Sequence, residues 1–286
     1  MAKFIFWDVQ HGAACYIRDD KRRNIIVDLG NGISRNGHNF SPIGILRAQG
    51  VLDELHLLIV THPHEDHIID LPALNGIPIR SLIAPEDLPD NLLSSNTEAM
   101  LEYRRLVAAY QYDPPFRLRE KQEQRWQGIE ISVFRPTCHG ANLNDRSLVV
   151  LFDCNGVGVM ICGDNESSSW ESLLNQESFT KSLRKVDIFA APHHGRESGF
   201  YQPLFDMLSP KLTIISDGPV LETDVAPRYG SVSKGMKVHY KNGGSEMRKC
   251  VTTRCDGAIY IEIEDTFWPT TRVTLEKGTR SSARRI

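Results

Sequence analysis

The sequence predicts a four-layer α/β fold, with two mixed sheets packed face to face and helices on both outer faces. Three observations carry this. Short apolar runs that read as strands dominate both halves of the chain, with helical segments between them. Four of those runs stop on a carboxylate or an imidazole, as if several strands delivered chemistry to one edge. Composition fits a large core, at 41% hydrophobic and 24% charged over 286 residues.

Residues 3–9 read as a first strand and 13–17 as a second, with a turn at Gln10-His11-Gly12. Residues 24–29 form a third, ending on Asp28 and Gly30, so the chain opens as an antiparallel meander. Residues 42–50 are a helix candidate, with Ser41 as N-cap, Pro42 at the first helical position and Gly50 as the stop. The run 55–60 is a buried strand, a helix is expected to start within 68–74, and 79–84 is a short strand. The strongest helical pattern spans 97–110, where Met100, Leu101, Arg104, Val107 and Ala108 recur at three and four residues. Residues 117–125 are a dense mixed-charge stretch, read as a solvated face.

Strands follow at 129–134, 148–153 and 157–162, the last two joined by the hairpin signal Asn155-Gly156. Residues 167–176 read as a helix, 186–191 as a strand, 201–208 as a helix and 212–216 as a strand. The Gly-, Ser- and Lys-rich stretch 222–248 reads as a long loop. Residues 250–253 and 258–263, joined by Asp256-Gly257, are expected to form a closing hairpin.

Several function classes are disfavoured. The net charge of -3 gives no global pull toward nucleic acid or an anionic membrane, although a local basic groove would suffice for a nucleic-acid substrate. No stretch approaches the ~18 apolar residues of a membrane span, and the first residues lack a secretory signal. Six cysteines form no CxxC pair, which suits a reducing cytoplasm.

The chemistry concentrates in Thr61-His62-Pro63-His64-Glu65-Asp66-His67, just after the 55–60 strand. A strand could place His62 and His64 on one face, with Asp66 and His67 in the turn beyond. An imidazole pair and an Asp/His pair could then point into one small volume, as in a two-metal hydrolytic site. Val27-Asp28-Leu29-Gly30, Gly163-Asp164 and His193-His194-Gly195 share that strand-end position and supply enough ligands for two ions.

These stretches resemble the metallo-β-lactamase superfamily. His62-Pro63-His64-Glu65-Asp66-His67 matches its HxHxDH signature, and the flanks look like the branch found in the ComEC-type competence protein. FWDVQHGAACYI resembles that branch's DVGQGDA motif, VDLGNG its IDxG, NDRSLVVLF its NxxSLVL, VMICGDNE its LxGD, VDIFAAPHHGRES its KVPHHGS, and TTRCDGAIYIEI its closing TxxxGxI. The resemblance covers about residues 3–264. It implies an αββα hydrolase domain over residues 1–270, with an insertion at about 85–128, followed by a basic tail, 271–286, expected to be disordered.

The family pattern implies roles. His62 and His64 would hold one metal, Asp66 and His67 the second, and Asp164 would bridge them. One of His193 and His194 would complete the second site. His194, directly before the glycine, is expected as the ligand, and His193 as a proton donor or oxyanion stabiliser. Asp66 and His193 are thus the expected catalytic pair. Asp28 would orient a ligand histidine by accepting its other N–H, with Asn144 and Ser147 also behind the ligands, and Arg196 would touch substrate.

Where many superfamily members carry a further histidine, this chain has Asn144-Asp145-Arg146-Ser147, as the competence branch does, and His139 is a conceivable substitute. The opened first position makes Mn²⁺ a competitor to Zn²⁺, with Mg²⁺ also admissible. In the first turn, Gln10-His11 replaces Gly-Gln, and Ala13 replaces the branch's Asp.

The implied function is a dinuclear metal-dependent hydrolase, a phosphodiesterase or nuclease that uses a metal-bridging hydroxide on DNA, RNA or a nucleotide. The alternatives are a lactone, ester or amide hydrolase and a non-catalytic metal-binding regulatory module of the same fold. Lys181, Arg184 and Lys185 precede the 186–191 strand, and Lys234, Lys237, Lys241 and Arg248, with His239 and Tyr240, lie in a loop that is either a clamp for a nucleic-acid strand or a solvated connection. Nothing in the sequence singles out a protein partner or a homodimer.

Overall fold

The computed structural model describes residues 1–33, 39–86, 88–110, 124–126, 128–137, 142–218, 225–264 and 266–277. Its first half contains strands β1 (Ala2–Phe6), β2 (Ala14–Arg18), β3 (Asn24–Leu29), β4 (Gly32–Ile33), β5 (Asn39–Phe40), β6 (Leu57–Ile59), β7 (Leu82–Ile83), β8 (Gln124–Trp126) and β9 (Ile129–Phe134). The helices there are α1 (Pro42–Ala48), α2 (Glu65–Ile68) and α3 (Glu98–Tyr110). The second half adds β10 (Val149–Cys154), β11 (Val157–Ile161), β12 (Val186–Ala190), β13 (Leu212–Ile215), β14 (Met236–Tyr240), β15 (Ser245–Arg248), β16 (Cys250–Thr252), β17 (Ile259–Ile263) and β18 (Thr271–Leu275). Its helices are α4 (Ser167–Leu174), α5 (Glu177–Ser182), α6 (Gln202–Phe205), α7 (Ala226–Val232) and α8 (Thr253–Asp256).

The strands form a nine-stranded sheet, β15-β14-β18-β17-β1-β2-β3-β6-β7, a seven-stranded sheet, β16-β13-β12-β11-β10-β9-β8, and a separate β4-β5 pair. Their facing sides share one core. Phe4, Ile17, Ile25, Val27 and Ile59 from the first sheet meet Phe152, Val159, Ile188 and Ile214 from the second. Phe4 and Phe152 cross edge to face at 5.7 Å, a geometry that adds about 0.5–1.5 kcal/mol to area burial. Because side chains alternate along a strand, Ile26 and Leu58 turn the other way, onto Ile43 and Leu46 of α1 and Met100, Tyr103 and Leu106 of α3. Leu151, Met160 and Phe189 likewise leave the second sheet to pack on Trp170, Phe179, Leu204 and Tyr229. The predicted αββα layering is present. Among the described residues no helix is long and apolar enough to cross a membrane.

Pairing direction collects the functional loops. β3 and β6 run parallel, and so do β11, β12 and β13, so their C-terminal ends share an edge. β10 is antiparallel to β11, which brings the residues entering β10 to that edge. The β1–β2 turn arrives there too, since β2 is antiparallel to both β1 and β3.

Several local expectations need correction. The 250–263 hairpin does not form: β16 pairs with β13 in one sheet and β17 pairs with β1 in the other. The intervening α8 is capped by Thr252 Oγ1, which accepts from Cys255 N at 3.1 Å. Gly257 at φ 72° then turns the chain across. The 222–248 loop contains α7, β14 and β15, and Val238 and Tyr240 are buried behind outward Lys237 and His239. The tail assigned from residue 271 begins too early, because Thr271–Leu275 is β18, paired with β17 and β14. Residues 278–286, residues 117–123 of the charged stretch and His139 lie outside the described residues. The buried face of α3 is Ala99, Met100, Tyr103 and Leu106, and Leu101 is exposed. The helix expected in 68–74 is α2 followed by a 3-10 turn at Leu71–Leu74.

The 42–50 helix is present as α1, with Ser41 Oγ accepting from Gly44 N at 2.8 Å. Asp70 ties this cap to the metal-motif loop: its Oδ2 accepts from Ser41 Oγ at 2.8 Å and Ile43 N at 3.0 Å. Burial pushes the Asp70 carboxyl up from 3.8 to about 6, and the two donors only partly oppose it. Raised in the folded state, this group stabilises fully below its unfolded pKa, and the contribution is lost as pH rises through about 6. Wild-type stability should therefore fall relative to Asp70→Asn by on the order of 1–3 kcal/mol between pH 4 and pH 8. Chemical denaturation at the two pH values reads this, and parallel pH profiles would contradict it.

Candidate metal centre

The site starts from Asp28, the next-to-last residue of β3, held at φ 58°. Its buried carboxylate faces three donors. Oδ1 accepts from Thr61 N at 2.7 Å, and Oδ2 accepts from Thr61 Oγ1 at 2.7 Å and faces His67 Nδ1 at 2.9 Å. A carboxylate that accepts fixes the tautomer, so His67 carries its proton on Nδ1. The Thr61 hydroxyl proton is committed to Asp28, which leaves its oxygen to accept from His62 Nδ1 at 3.2 Å. His194 Nδ1 lies 3.1 Å from the Ser216 carbonyl, also an obligate acceptor. Three imidazoles thus have Nδ1–H pinned outward and Nε2 lone pairs turned inward.

The lone pairs converge on Asp164, which follows Gly163 at the end of β11. Gly163 sits at φ 53°, and a Cβ there would lie 2.9 Å from both Thr61 and Ser147. Only glycine lets this turn close against the motif. Asp164 N donates to Ser147 Oγ at 3.1 Å. Its Oδ1 lies 3.2 Å from His67 Nε2, and its Oδ2 lies 3.7 Å from His62 Nε2 and 3.5 Å from His194 Nε2. His62 Nε2 is 3.0 Å from His64 Nδ1, and His67 Nε2 is 3.3 Å from His194 Nε2. Asp66 Oδ2 stands 3.1 Å from His194 Nε2.

Acceptors facing acceptors at these distances require a positive charge between them. The Asp164 Oδ1 atom is buried and makes no hydrogen bond of ordinary geometry. Burial alone would raise Asp164 and Asp66, but the surrounding imidazoles outweigh it and hold both below the usual carboxylate range. Burial likewise pulls His194 down, yet Asp164 and Asp66 outweigh it and lift this imidazole to about 9. His67 is raised well above its ordinary value, the Asp164 and Asp28 carboxylates overcoming burial. The carboxylates thus favour a positive charge at the point where these donors meet. His62 goes the other way, lowered by burial and then by His67. Two groups of donors lie close enough to hold an ion each: His62, His64 and Asp164, and Asp66, His67, Asp164 and His194. Neutral imidazoles and ionised carboxylates in this arrangement fit divalent metals.

His62, His64, Asp66, His67, Asp164 and His194 meet here, but not as one strand face. β6 ends at Ile59, and His62 and His64 approach from the coil beyond it. Asp66 and His67 sit in the first turn of α2. Of the adjacent histidines, both in left-handed backbone (φ 49° and 52°), His194 joins the cluster. His193 turns aside, with Nδ1 2.9 Å from Glu166 Oε1 and 2.8 Å from Ser198 Oγ. Arg196 Nη1 lies 3.3 Å from His193 Nε2. Asn144 and Ser147 lie behind the ligands, Asn144 donating to Glu166 Oε1 at 3.2 Å.

Four participants were not assigned from sequence. Thr61 relays Asp28 to His62, Ser216 anchors His194, and Glu166 holds both His193 and Asn144. His11, read only as a turn residue, brings Nε2 to 3.5 Å from Asp66 Oδ2 and its ring to 5.0 Å from that of His194. The turn is clamped at Gly12 (φ 131°), where a Cβ would sit 2.4 Å from the Asp66 carbonyl. The signal for His11 was its place at a strand end, shared with the motifs that were recognised.

No known family model matches the chain. The sequence is 26% identical over 218 residues to recombination protein 2 of Haemophilus influenzae, covering 74% of this chain and 24% of that protein. The chain thus spans about a quarter of that relative's length. The structure is similar to the metallo-β-lactamase fold protein YhfI of Bacillus subtilis, with TM-score 0.51 at 10% identity over 94% of this chain and 99% of that one. It is similar to a diphosphatase of the PhnP family, with TM-score 0.51 at 13% identity over 92% and 98%. Zn²⁺-bound PqqB of Methylobacterium extorquens gives TM-score 0.52 at 10% identity over 92% and 100%. The chain has the metallo-β-lactamase fold, and the Haemophilus match supports the ComEC-type resemblance read from the sequence.

Asp28→Asn isolates the orienting carboxylate. Asparagine tolerates φ 58°, but its amide must turn N–H against either Thr61 N–H or His67 Nδ1–H. Divalent-ion affinity measured by calorimetry should drop by about 10–100-fold. An unchanged affinity would rule out Asp28 as the residue that orients His67.

Proposed function

We propose that this protein is a dinuclear metal-dependent hydrolase of phosphodiesters, with DNA, RNA or a nucleotide as substrate. The observation that carries the reading is the pair of donor groups that share Asp164. His62 and His64 would hold one ion and Asp66, His67 and His194 the other, with Asp164 belonging to both groups. Two divalent cations bound there would supply an activated water and neutralise charge on a phosphoryl oxygen.

The remaining residues act on the substrate. His193 commits Nδ1 to Glu166 and Ser198, and its Nε2 accepts from Arg196 Nη1 at 3.3 Å, so Nε2 would serve as the proton donor to the leaving oxygen only once Arg196 turns to the substrate and Nε2 takes up a proton. Arg196, beside that nitrogen, offers a guanidinium to a non-bridging phosphoryl oxygen. Phosphorus is favoured over carbon as the target by the carboxylate share of the donor set, by this cation, and by two similarities. One similar structure is a diphosphatase, and the sequence relative is named a recombination protein. Manganese or zinc is the resident metal, and the setting is cytoplasmic.

Cleavage of single- and double-stranded DNA, RNA and a simple chromogenic phosphodiester is measured with Mn²⁺, Mg²⁺ and Zn²⁺, for wild type and Asp164→Ala. At least one phosphodiester should be turned over, and the variant should lose about a hundredfold or more of that rate. Turnover confined to lactones, esters or amides would overturn the substrate class. Equal rates for the variant would overturn the assignment of the site.

A further inference from the structure

The basic residues around Lys237 stand on paired strands, and the pairing register sets them in one row. Six consecutive strands of the larger sheet, β15-β14-β18-β17-β1-β2, contribute one residue each. Met247 lies opposite Lys237, Arg272 opposite Glu262, Glu262 opposite Lys3 and Lys3 opposite Arg18. Lys237 and Arg272 are also neighbours, each one residue before the Val238–Val273 pair of the parallel strands β14 and β18. Their chain neighbours Phe4, Ile17, Val238, Ile261 and Val273 lie in the core between the sheets, so the row turns outward. At about 4.8 Å per strand, it crosses about 24 Å of the sheet.

The row holds four cations, Lys237, Arg272, Lys3 and Arg18, and one acid, Glu262. Glu262 Oε1 pairs with Lys3 Nζ at 2.7 Å. Lys237 and Arg272 are exposed and make no ion pair among the described residues. Arg18 Nε is buried and has no hydrogen-bond partner among them. Like charges side by side on neighbouring strands are destabilising, and a buried donor without an acceptor calls for an explanation. A line of anionic oxygens laid across the strands answers both. Next to the row, the turn that joins β17 to β18 presents Phe267 and Trp268, 88% and 80% exposed, with their rings edge to face at 5.1 Å. That turn is closed by Glu264 N donating to the Thr270 carbonyl at 3.0 Å and by Thr266 Oγ1 donating to the Trp268 carbonyl at 2.8 Å.

We propose that this row is a docking site for a single nucleic-acid strand, with phosphates against Lys237, Arg272, Lys3 and Arg18 and unpaired bases on Phe267 and Trp268. The inference rests on the reading of the substrate as a nucleic acid. On a chain of net charge -3, a local line of cations is complementary to a linear polyanion. Exposed rings beside it take bases that are free of a duplex. Lys3 keeps two donors beyond the one it gives Glu262. The row lies at the sheet edge remote from the metal centre: β1 starts there and β2 ends there, whereas the β1–β2 turn closes against Asp66. The surface therefore holds a long strand without touching the phosphate that reacts, and a small substrate does not use it.

The test measures binding of a labelled oligothymidylate of about 16 nucleotides by fluorescence anisotropy in EDTA, where no metal-dependent turnover occurs. Wild type is compared with Lys237→Glu/Arg272→Glu, with Trp268→Ala, and with Lys181→Glu/Arg184→Glu, which makes the same charge change at and just after α5. Thermal melts check folding. The row variant should bind about tenfold or more weakly, and its slope of log affinity against log salt should be shallower by about 1.4. Trp268→Ala should weaken binding by about fivefold or more, and the α5 variant should stay within about twofold of wild type. With Mn²⁺, the row variant should hydrolyse a small chromogenic phosphodiester at the wild-type rate. Row and α5 variants that bind alike, or a wild type that does not bind the strand, would overturn the docking site and leave the hydrolase reading standing. Binding of phosphatidylserine vesicles in place of the strand, lost in the same variants, would overturn the choice of nucleic acid. Strand binding that depends on the row, with no phosphodiester turned over under any metal, would uphold the docking site and sink the hydrolase reading.

Discussion

Imidazole lone pairs and ionised carboxylates meet in the interior of this protein with nothing but each other to face. His62, His67 and His194 each have the outward nitrogen committed to a fixed acceptor, respectively Thr61, Asp28 and the Ser216 carbonyl. Each therefore presents an acceptor inward, toward Asp164 and Asp66. Such an arrangement repels itself unless a cation or shared protons sit within it. The opposite pKa shifts of His194 and His62 reflect this, with some imidazoles taking up a proton and others excluding it. Everything else at this edge of the fold holds the unfavourable geometry in place.

Asp28 is the main restraint. From one carboxylate it positions Thr61, His67 and, through the threonine hydroxyl, His62. Its left-handed backbone conformation is an unusual cost for a non-glycine residue. The double-sided core absorbs that cost, because β3 is buried along its whole length. Parallel pairing within each sheet then puts these strand ends at one edge. His193 and Glu166 extend the network outward to Arg196, where an anionic substrate would enter.

Much of this was legible in the sequence because strand ends and dense ligand types are local signals. The 61–67 motif, Gly163-Asp164 and His193-His194-Gly195 announce themselves by residue type alone. The layer order follows from apolar runs separated by helical segments. What escaped was tertiary. The 250–263 segment has the local pattern of a hairpin, yet α8 and Gly257 carry it from one sheet to the other. Strand β14 is hidden because Lys237 and His239 on the solvent side mask the buried Val238 and Tyr240, and β15 because it buries no residue of its own. The residues of β18 resemble a tail, although the strand pairs between β14 and β17 and turns Val273 and Leu275 into the core between the sheets. Glu166 and His11 gained their positions from a helix start and a turn whose destinations depend on the assembled sheets. No spacing rule links residue 11 to residue 66 or 194.

If Asp164 sits between two cations held by separate donor groups, anomalous diffraction from crystals grown with Mn²⁺ should show two peaks roughly 3.5–4 Å apart, one beside His62 and His64, the other among Asp66, His67 and His194, with the Asp164 carboxylate reaching both. A single peak, or peaks away from Asp164, would contradict it.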